Sequence, residues 1–285
     1  MGKKQYNNLA VRFFLYRDHY LALAVTGKNF LATSHRLFKL FLLLPNVEKV
    51  FFTGIGGSLN PRSKPGDVCI PKKWACHTTG YIYNKKTDKE HAVRYKPEFP
   101  NYKDFYPASM EIGVTPNDEI TRTYFLPCPL SLFTAIKNSL LTPHPDHNFI
   151  IHCGGIGVSG TVFVDNDSYN QYLFTTYGAR VVDMESFAFA AACYEFQKPF
   201  CVIRGISDSA GNHEHDNEGN AIDTYRDTAA SNAAATFTHI LGHIELPKTN
   251  YPKRPLKPIQ QFLFPHPKPE FNIENVPHSP KVTTH

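Results

Sequence analysis

Val181-Val182-Asp183-Met184-Glu185-Ser186 and, further along, Pro199-Phe200-Cys201-Val202-Ile203-Arg204-Gly205-Ile206-Ser207-Asp208 describe the same event twice. In each, a short run of branched apolar residues reads as a buried strand, Ala179 to Asp183 and Phe200 to Ile206, and each strand delivers carboxylates at its carboxyl end. The first turns at Asp183 and Glu185 into an Ala-rich helix, Met184 to Phe196; the second ends in Ser207-Asp208 followed by Ser209-Ala210-Gly211. Carboxylates at such ends also serve as helix N-caps, and Asp183 fits that role. Two acids on two strand ends point instead to a shared site.

Upstream, the pattern keeps alternating. Asn29 to Leu44 has helical spacing at Phe30, Leu31, Leu37, Phe38, Phe41 and Leu42 and ends at Pro45. Pro127 to Leu141, Asp167 to Tyr177 and Thr224 to Ile244 also read as helices. Strands are expected at Asp67 to Pro71, Lys73 to Tyr83, Phe149 to Cys153 and Ile156 to Val164, with an opening hairpin, Arg12 to Tyr16 and His19 to Thr26, around Arg17-Asp18. Val47 to Phe52 reads as a buried strand stopping at Thr53-Gly54-Ile55-Gly56-Gly57-Ser58, where glycines let backbone amides approach a ligand. Asn84 to Pro107, polar and rich in Lys, Pro and Tyr, reads as a long surface loop. Strand and helix alternation implies an α/β fold with a mainly parallel or mixed sheet covered on both faces, and ligands gather at the carboxyl ends of such strands.

The 285 residues are 42% hydrophobic and 19% charged, a composition that furnishes a large core and argues against general disorder. Nine of the 22 prolines lie in Leu246 to His285, which also carries six Lys/Arg against two Asp/Glu. The net charge of +5 therefore sits mostly in this segment, and the body, 1–245, offers no basic surface for nucleic acid. Residues 246–285 are expected to be an extended or disordered Pro-rich tail. The longest apolar run, Leu37 to Phe52, is broken by Lys39, Pro45, Glu48 and Lys49, so no bilayer span or membrane partner is expected. The N-terminal stretch lacks an apolar signal region, and Cys69, Cys76, Cys128, Cys153, Cys193 and Cys201 show no CxxC spacing. Reduced structural thiols and a cytoplasmic location are the expectation.

The combination of Val182-Asp183-Met184-Glu185-Ser186 with the Pro199 to Asp208 segment resembles the purine nucleoside phosphorylase and methylthioadenosine/S-adenosylhomocysteine nucleosidase superfamily. Thr53-Gly54-Ile55-Gly56-Gly57, Pro65-Gly66-Asp67-Val68 and Gly157-Val158-Ser159-Gly160-Thr161-Val162-Phe163-Val164 support it over roughly Phe13 to Leu241. With Trp74-Ala75-Cys76-His77-Thr78 and Asp165-Asn166, they look nearest the plant bark-storage and cytokinin-riboside-phosphorylase-like branch. The resemblance implies a nucleoside phosphorylase-like domain over 1–245, a three-layer α/β/α sandwich around a mixed, partly barrel-like sheet. It implies cleavage of a purine nucleoside, a small-molecule partner, with no cofactor or metal, phosphate as the one possible co-substrate, and a homo-oligomer.

By the same resemblance, Asp208 is the general acid at the base and Ser207 orients it. Glu185 holds the ribose hydroxyls, Met184 packs on the sugar, Phe163 stacks on the purine, and the backbone at Val164 reads the purine edge. Gly54, Ile55 and Gly56 wall the side of the incoming nucleophile, and His77 lies in the segment resembling the family's substrate-side strand. The superfamily usually opens with a strand, a glycine turn and a helix, where nucleosidases carry a water-activating Glu; this chain reads as starting at the second strand. Phosphorylases place an Arg and a Ser where this chain has Phe52 and Ile55. Hydrolysis, phosphorolysis and a non-catalytic nucleoside- or cytokinin-binding or storage role therefore stay open. His213 and His215 supply too few ligands for a metal and read as a solvated loop.

Overall fold

Short apolar strands with no alternation need cover on both faces, and the chain supplies it around one large sheet. The computed structural model describes residues 2–6, 9–16, 19–82, 99–114, 120–142, 148–211 and 221–244. All lie within the unit Met1–Lys248, and the expected tail, 246–285, falls outside the described residues. In chain order the elements are β1 (Gly2–Tyr6), β2 (Leu9–Tyr16), β3 (His19–Ala24), α1 (Phe30–Leu43), β4 (Val50–Ser58), β5 (Val68–Ile70), β6 (Lys73–Cys76) and β7 (Gly80–Ile82). Then come β8 (Phe105–Pro107), β9 (Met110–Val114), β10 (Ile120–Thr123), β11 (Phe125–Pro127), α2 (Leu130–Ser139), β12 (Ile151–Cys153) and β13 (Ile156–Ser159). The described part closes with α3 (Asp167–Tyr177), β14 (Ala179–Asp183), α4 (Ser186–Glu195), β15 (Phe200–Asp208) and α5 (Ala221–His243).

The main sheet has eight strands in the order β11-β6-β13-β14-β4-β15-β5-β12. It is mixed: β6, β13 and β14 run parallel, as do β4 with β15 and β5 with β12, while β14 meets β4 antiparallel. This is the α/β class expected. On one face Phe200, Val202 and Ile206 of β15 pack with Phe187 and Phe189 of α4 and Leu37 and Phe41 of α1. On the other, Cys201 and Ile203 meet Ile136 of α2 and Ala233 and Ile240 of α5. Leu173 and Tyr177 of α3 cover Val158, Ala179 and Val182. Each fully buried Val, Leu, Ile or Phe among them stabilises the fold by about 1.5–3 kcal/mol, so the helices and strands specify one another.

Local signals set the helix ends. Asn29 caps α1, its side chain accepting from Ala32 N at 3.0 Å, and Thr33, Leu37 and Phe41 form the buried stripe. Asn166 caps α3 through Tyr169 N at 3.0 Å, and Gly178 closes it at φ 62°. All six cysteines are free thiols, five of them buried.

Several boundaries differ from expectation. β4 does not stop at the glycines but runs through them to Ser58, because β15 pairs with it from Val50 to Gly57. Lys73 to Tyr83 breaks into β6 and β7, and Ile156 to Val164 keeps only β13 as strand. The expected loop Asn84 to Pro107 ends in β8, which pairs with β7; residues 83–98 are outside the described part. β9, β10 and β11 are three to five residues long, too short to show a period.

Candidate active site

β14 and β15 run in opposite directions, yet both end on the same two residues of the strand between them. Val182 registers with Gly57 from one side, Asp208 with Gly57 from the other. A Cβ on Gly56 would lie 2.8 Å from Val182 O and 3.6 Å from Asp183 Cβ; one on Gly57 would lie 2.7 Å from Asp208 Oδ1. The ends of β14 and β15 thus face each other across the glycine pair Gly56–Gly57 of β4, their backbones roughly 10 Å apart at two interstrand spacings. Beside Gly54 the Arg204 guanidinium fills the space a Cβ would take, and Ile55, half-buried, pairs with Gly205.

Asp208 is held at both oxygens. Ser207 Oγ donates to Oδ2 at 2.7 Å and Ala210 N to Oδ1 at 2.8 Å. Ser207 is itself buried, with its hydroxyl 3.4 Å from Gly56 O. The carboxyl of Asp208, half-buried, therefore has a defined plane at the strand end.

Asp183 takes the capping role. Its Oδ1 accepts from Glu185 N (3.2 Å) and Ser186 N (3.0 Å), and its Oδ2 from Ser186 Oγ and from Arg204 Nε at 2.6 Å. Both partners of this ion pair are buried, and the guanidinium lies 4.2 Å over the Phe52 ring. Because Asp183 absorbs the cap and the cation, Glu185 is left for other work. Glu185 is half-buried, and its Oε1 accepts from Asn29 N at 2.6 Å. Burial raises its carboxyl above the ordinary range, the Asn29 N–H opposes that rise, nearby Asp183 adds to it and Arg204 counters it. Met184, also half-buried, sits between the two acids.

Val164 is buried in the cluster that contains Val182 and Ala210, which brings the Phe163–Val164 loop to the same end of the sheet; Phe163 itself is 59% exposed. His77 is placed differently. Its ring is fully buried, Nδ1 lies 3.0 Å from Tyr169 OH, and Nε2 has no hydrogen-bond partner among the described residues. Burial lowers this imidazole to about 4 against the pull of Asp183, so it is neutral at pH 7. A Cβ on Gly160 would come within 2.6 Å of Nε2, so His77 is packed against the loop that leads to Phe163. A surface cavity of about 650 Å³ opens between Lys64–Asp67 and α5, and none of the expected site residues lines it. The one acid there, Asp67, spends its oxygens on Ile150 N, Lys64 N and His152 Nε2.

The phosphorylase superfamily model matches residues 20–242 of this chain. The chain belongs to the phosphorylase superfamily. Among superfamily relatives, the aminodeoxyfutalosine nucleosidase of Helicobacter pylori (strain ATCC 700392 / 26695) is 25% identical over 194 residues, 68% of either chain. The 5'-methylthioadenosine/S-adenosylhomocysteine nucleosidase of Buchnera aphidicola subsp. Schizaphis graminum is 26% identical over 162 residues, 56% of this chain and 55% of that one. Among solved structures, the S-adenosylhomocysteine nucleosidase of Streptococcus pyogenes superposes with a TM-score of 0.64 at 17% identity, covering 86% of this chain and 88% of that one. Superfamily membership and the shared fold agree with the architecture described above.

Two further residues matter at this site, one hidden from the sequence and one legible in it. Asn29 matters through its backbone N–H, which no sequence pattern displays; its positive φ of 73° is the structural sign. Asn170 interrupts the apolar face of α3 formed with Leu173 and Tyr177, and that interruption is a legible signal.

Proposed function

We propose that this chain cleaves the N-glycosidic bond of purine nucleosides, with Asp208 as the acid that protonates the departing base and Glu185 as the anchor of the ribose hydroxyls. The supporting observation is the meeting of β14 and β15 at Gly56–Gly57, which sets Asp208 on one side of this glycine pair and Asp183, two residues before Glu185, on the other. Departure of a purine leaves an oxocarbenium-like sugar, so protonating the base lowers the barrier, a contribution on the order of 10²- to 10⁴-fold. The two hydrogen bonds that fix the Asp208 carboxyl aim its proton. An acceptor-only carboxylate at Glu185 suits a vicinal diol, and its charge sits near the cationic sugar as the bond breaks. Phe163, 59% exposed, gains burial by stacking on the purine, with the Val164 backbone at the base edge and Met184 against the sugar.

We take water rather than phosphate as the nucleophile, on the side chains at two positions and without a counterpart assigned to the nucleosidases' water-activating Glu. At the positions where the resemblance puts the phosphorylases' Arg and Ser, Phe52 stacks on Phe189 at 4.5 Å beneath Arg204, and Ile55 is aliphatic. Neither side chain offers a donor to phosphate. The nucleosidase names of the relatives point the same way.

The test is a panel of purine nucleosides incubated with the protein, with and without phosphate, reading free base. Release without phosphate supports the proposal; release that requires phosphate replaces hydrolysis with phosphorolysis. Binding without release supports the storage or binding reading instead. We also propose a homo-oligomer, which the exposed Leu31, Phe38 and Leu42, spaced along one side of α1, support. Sedimentation equilibrium showing a monomer at micromolar concentration would remove it.

A further inference from the structure

Asn170 is buried on α3, and its Nδ2 lies within hydrogen-bond distance of three backbone carbonyls: Ser209 O at 2.8 Å, Ser58 O at 3.2 Å and Ala210 O at 3.3 Å. An amide has two hydrogens, so one is shared between two acceptors. The three carbonyls come from two places: Ser58 ends β4, and Ser209 and Ala210 follow Asp208 directly. Asn170 therefore ties the turn after the acid to the end of β4, the strand that β14 and β15 flank.

That turn needs holding. Ala210 has φ 50°, in the left-handed region an alanine rarely adopts, and it is this residue whose N–H donates to Asp208 Oδ1. Gly211, at φ 103°, lies so close to the Asn166 backbone that a Cβ would come within 2.7 Å of Asn166 C. The first turns of α3 are thus the template on which the segment after β15 is cast. With the amide removed, three carbonyls among buried residues lose their donor, and the Ala210 N–H loses the geometry that sets the Asp208 carboxyl plane.

We infer that Asn170 is a positioning residue for Asp208, acting through the turn rather than on the substrate; this rests on the function proposed above. Displacing a reacting group by about 1 Å costs on the order of 10²-fold in rate. The loss should fall on proton delivery to the base and spare the rest of the site.

The experiment compares wild type and Asn170→Ala on two substrates: the purine nucleoside that wild type cleaves best, and p-nitrophenyl β-D-ribofuranoside, whose phenolate leaves without protonation. The expected result is a fall of about 10- to 100-fold in kcat on the nucleoside with KM within about 3-fold, and an aryl riboside rate within about 3-fold of wild type. Equal losses on both substrates would mean a purely structural role and overturn the inference, as would no loss on either. If Asn170→Ala does not fold, Asn170→Ser, with one short donor, is put through the same comparison. Amide hydrogen exchange at Ala210 supplies the arm that needs no turnover. Should wild type release no base from any nucleoside, the proposed function fails, and the clamp stands if Ala210 exchanges faster in the variant and falls if it does not.

Discussion

Arg204 Nε donates to Asp183 Oδ2 at 2.6 Å, with both side chains almost fully excluded from solvent, and so joins β15, which ends at Asp208, to the end of β14, two residues before Glu185. The same Nε lies 3.0 Å from Ser186 Oγ, and the guanidinium plane rests on Phe52. Removing one member of such a pair leaves the other charge buried without compensation. Arg204→Leu is therefore expected to lower unfolding free energy by about 3–5 kcal/mol, read from the urea midpoint at unchanged m. A loss under about 1 kcal/mol would show that water or relaxation replaces the guanidinium.

Asp208→Asn keeps the shape of the acid and removes its proton. Turnover should fall by roughly 10²- to 10⁴-fold while the Kd of a nucleoside stays within a few-fold. Glu185→Gln divides the effects the other way, weakening nucleoside binding by roughly 10- to 100-fold, the worth of hydrogen bonds to a charged acceptor. Steady-state kinetics with calorimetric binding separates the two variants; an unchanged rate in Asp208→Asn would take Asp208 out of the mechanism.

Gly57→Ala brings a methyl within 2.7 Å of Asp208 Oδ1 and 2.9 Å of the Ala210 side chain. Either the carboxyl or its turn must move, and a shift of about 1 Å is expected to cost on the order of 10²-fold in turnover. Circular dichroism and kcat measured on the same sample decide whether the acid moved or the fold was lost. Full activity in a folded Gly57→Ala variant would contradict the placement of Asp208.

His77 is expected to give stability a pH dependence whose sign follows from its burial. Burial lowers its folded-state value to about 4 from 6.5, so between these values the unfolded chain binds the extra proton. Stability is fully present above 6.5 and declines as pH falls toward 4, by on the order of 3 kcal/mol from this group. Glu185, raised by burial, contributes in the opposite sense, losing stability as pH rises from the ordinary carboxyl range. Comparing wild type with His77→Gln by urea unfolding at pH 4.5 and 7.5 isolates the histidine. Parallel curves for the two proteins would mean that the imidazole is hydrated.

The strand ends were the most legible part of the molecule, since Ala179–Asp183 and Phe200–Asp208 combine branched apolar runs with a terminal acid. Helix α3 was also plain, its expected bounds, Asp167 to Tyr177, being those of the fold. What stayed hidden was either short or made by the backbone. β8 and β11 have three residues each and exist because a neighbouring strand supplies their hydrogen bonds. The run Thr53-Gly54-Ile55-Gly56-Gly57-Ser58 read as the stop of a strand, since glycine disfavours strands in isolation, and became part of the sheet interior because Arg204, Val182 and Asp208 occupy the space beside it.

The order of polar and apolar residues alone determined that this chain forms an α/β sheet with carboxylates at its strand ends, because periodicity and chain breaks are properties of neighbours along the chain. Which carboxylate caps a helix and which is left for a ligand was decided only in three dimensions. Asp183 and Glu185 are two residues apart and chemically alike, and what separates them is a guanidinium 21 residues away and an amide 156 residues away. Desolvation and partner choice act through space, and no local pattern encodes them.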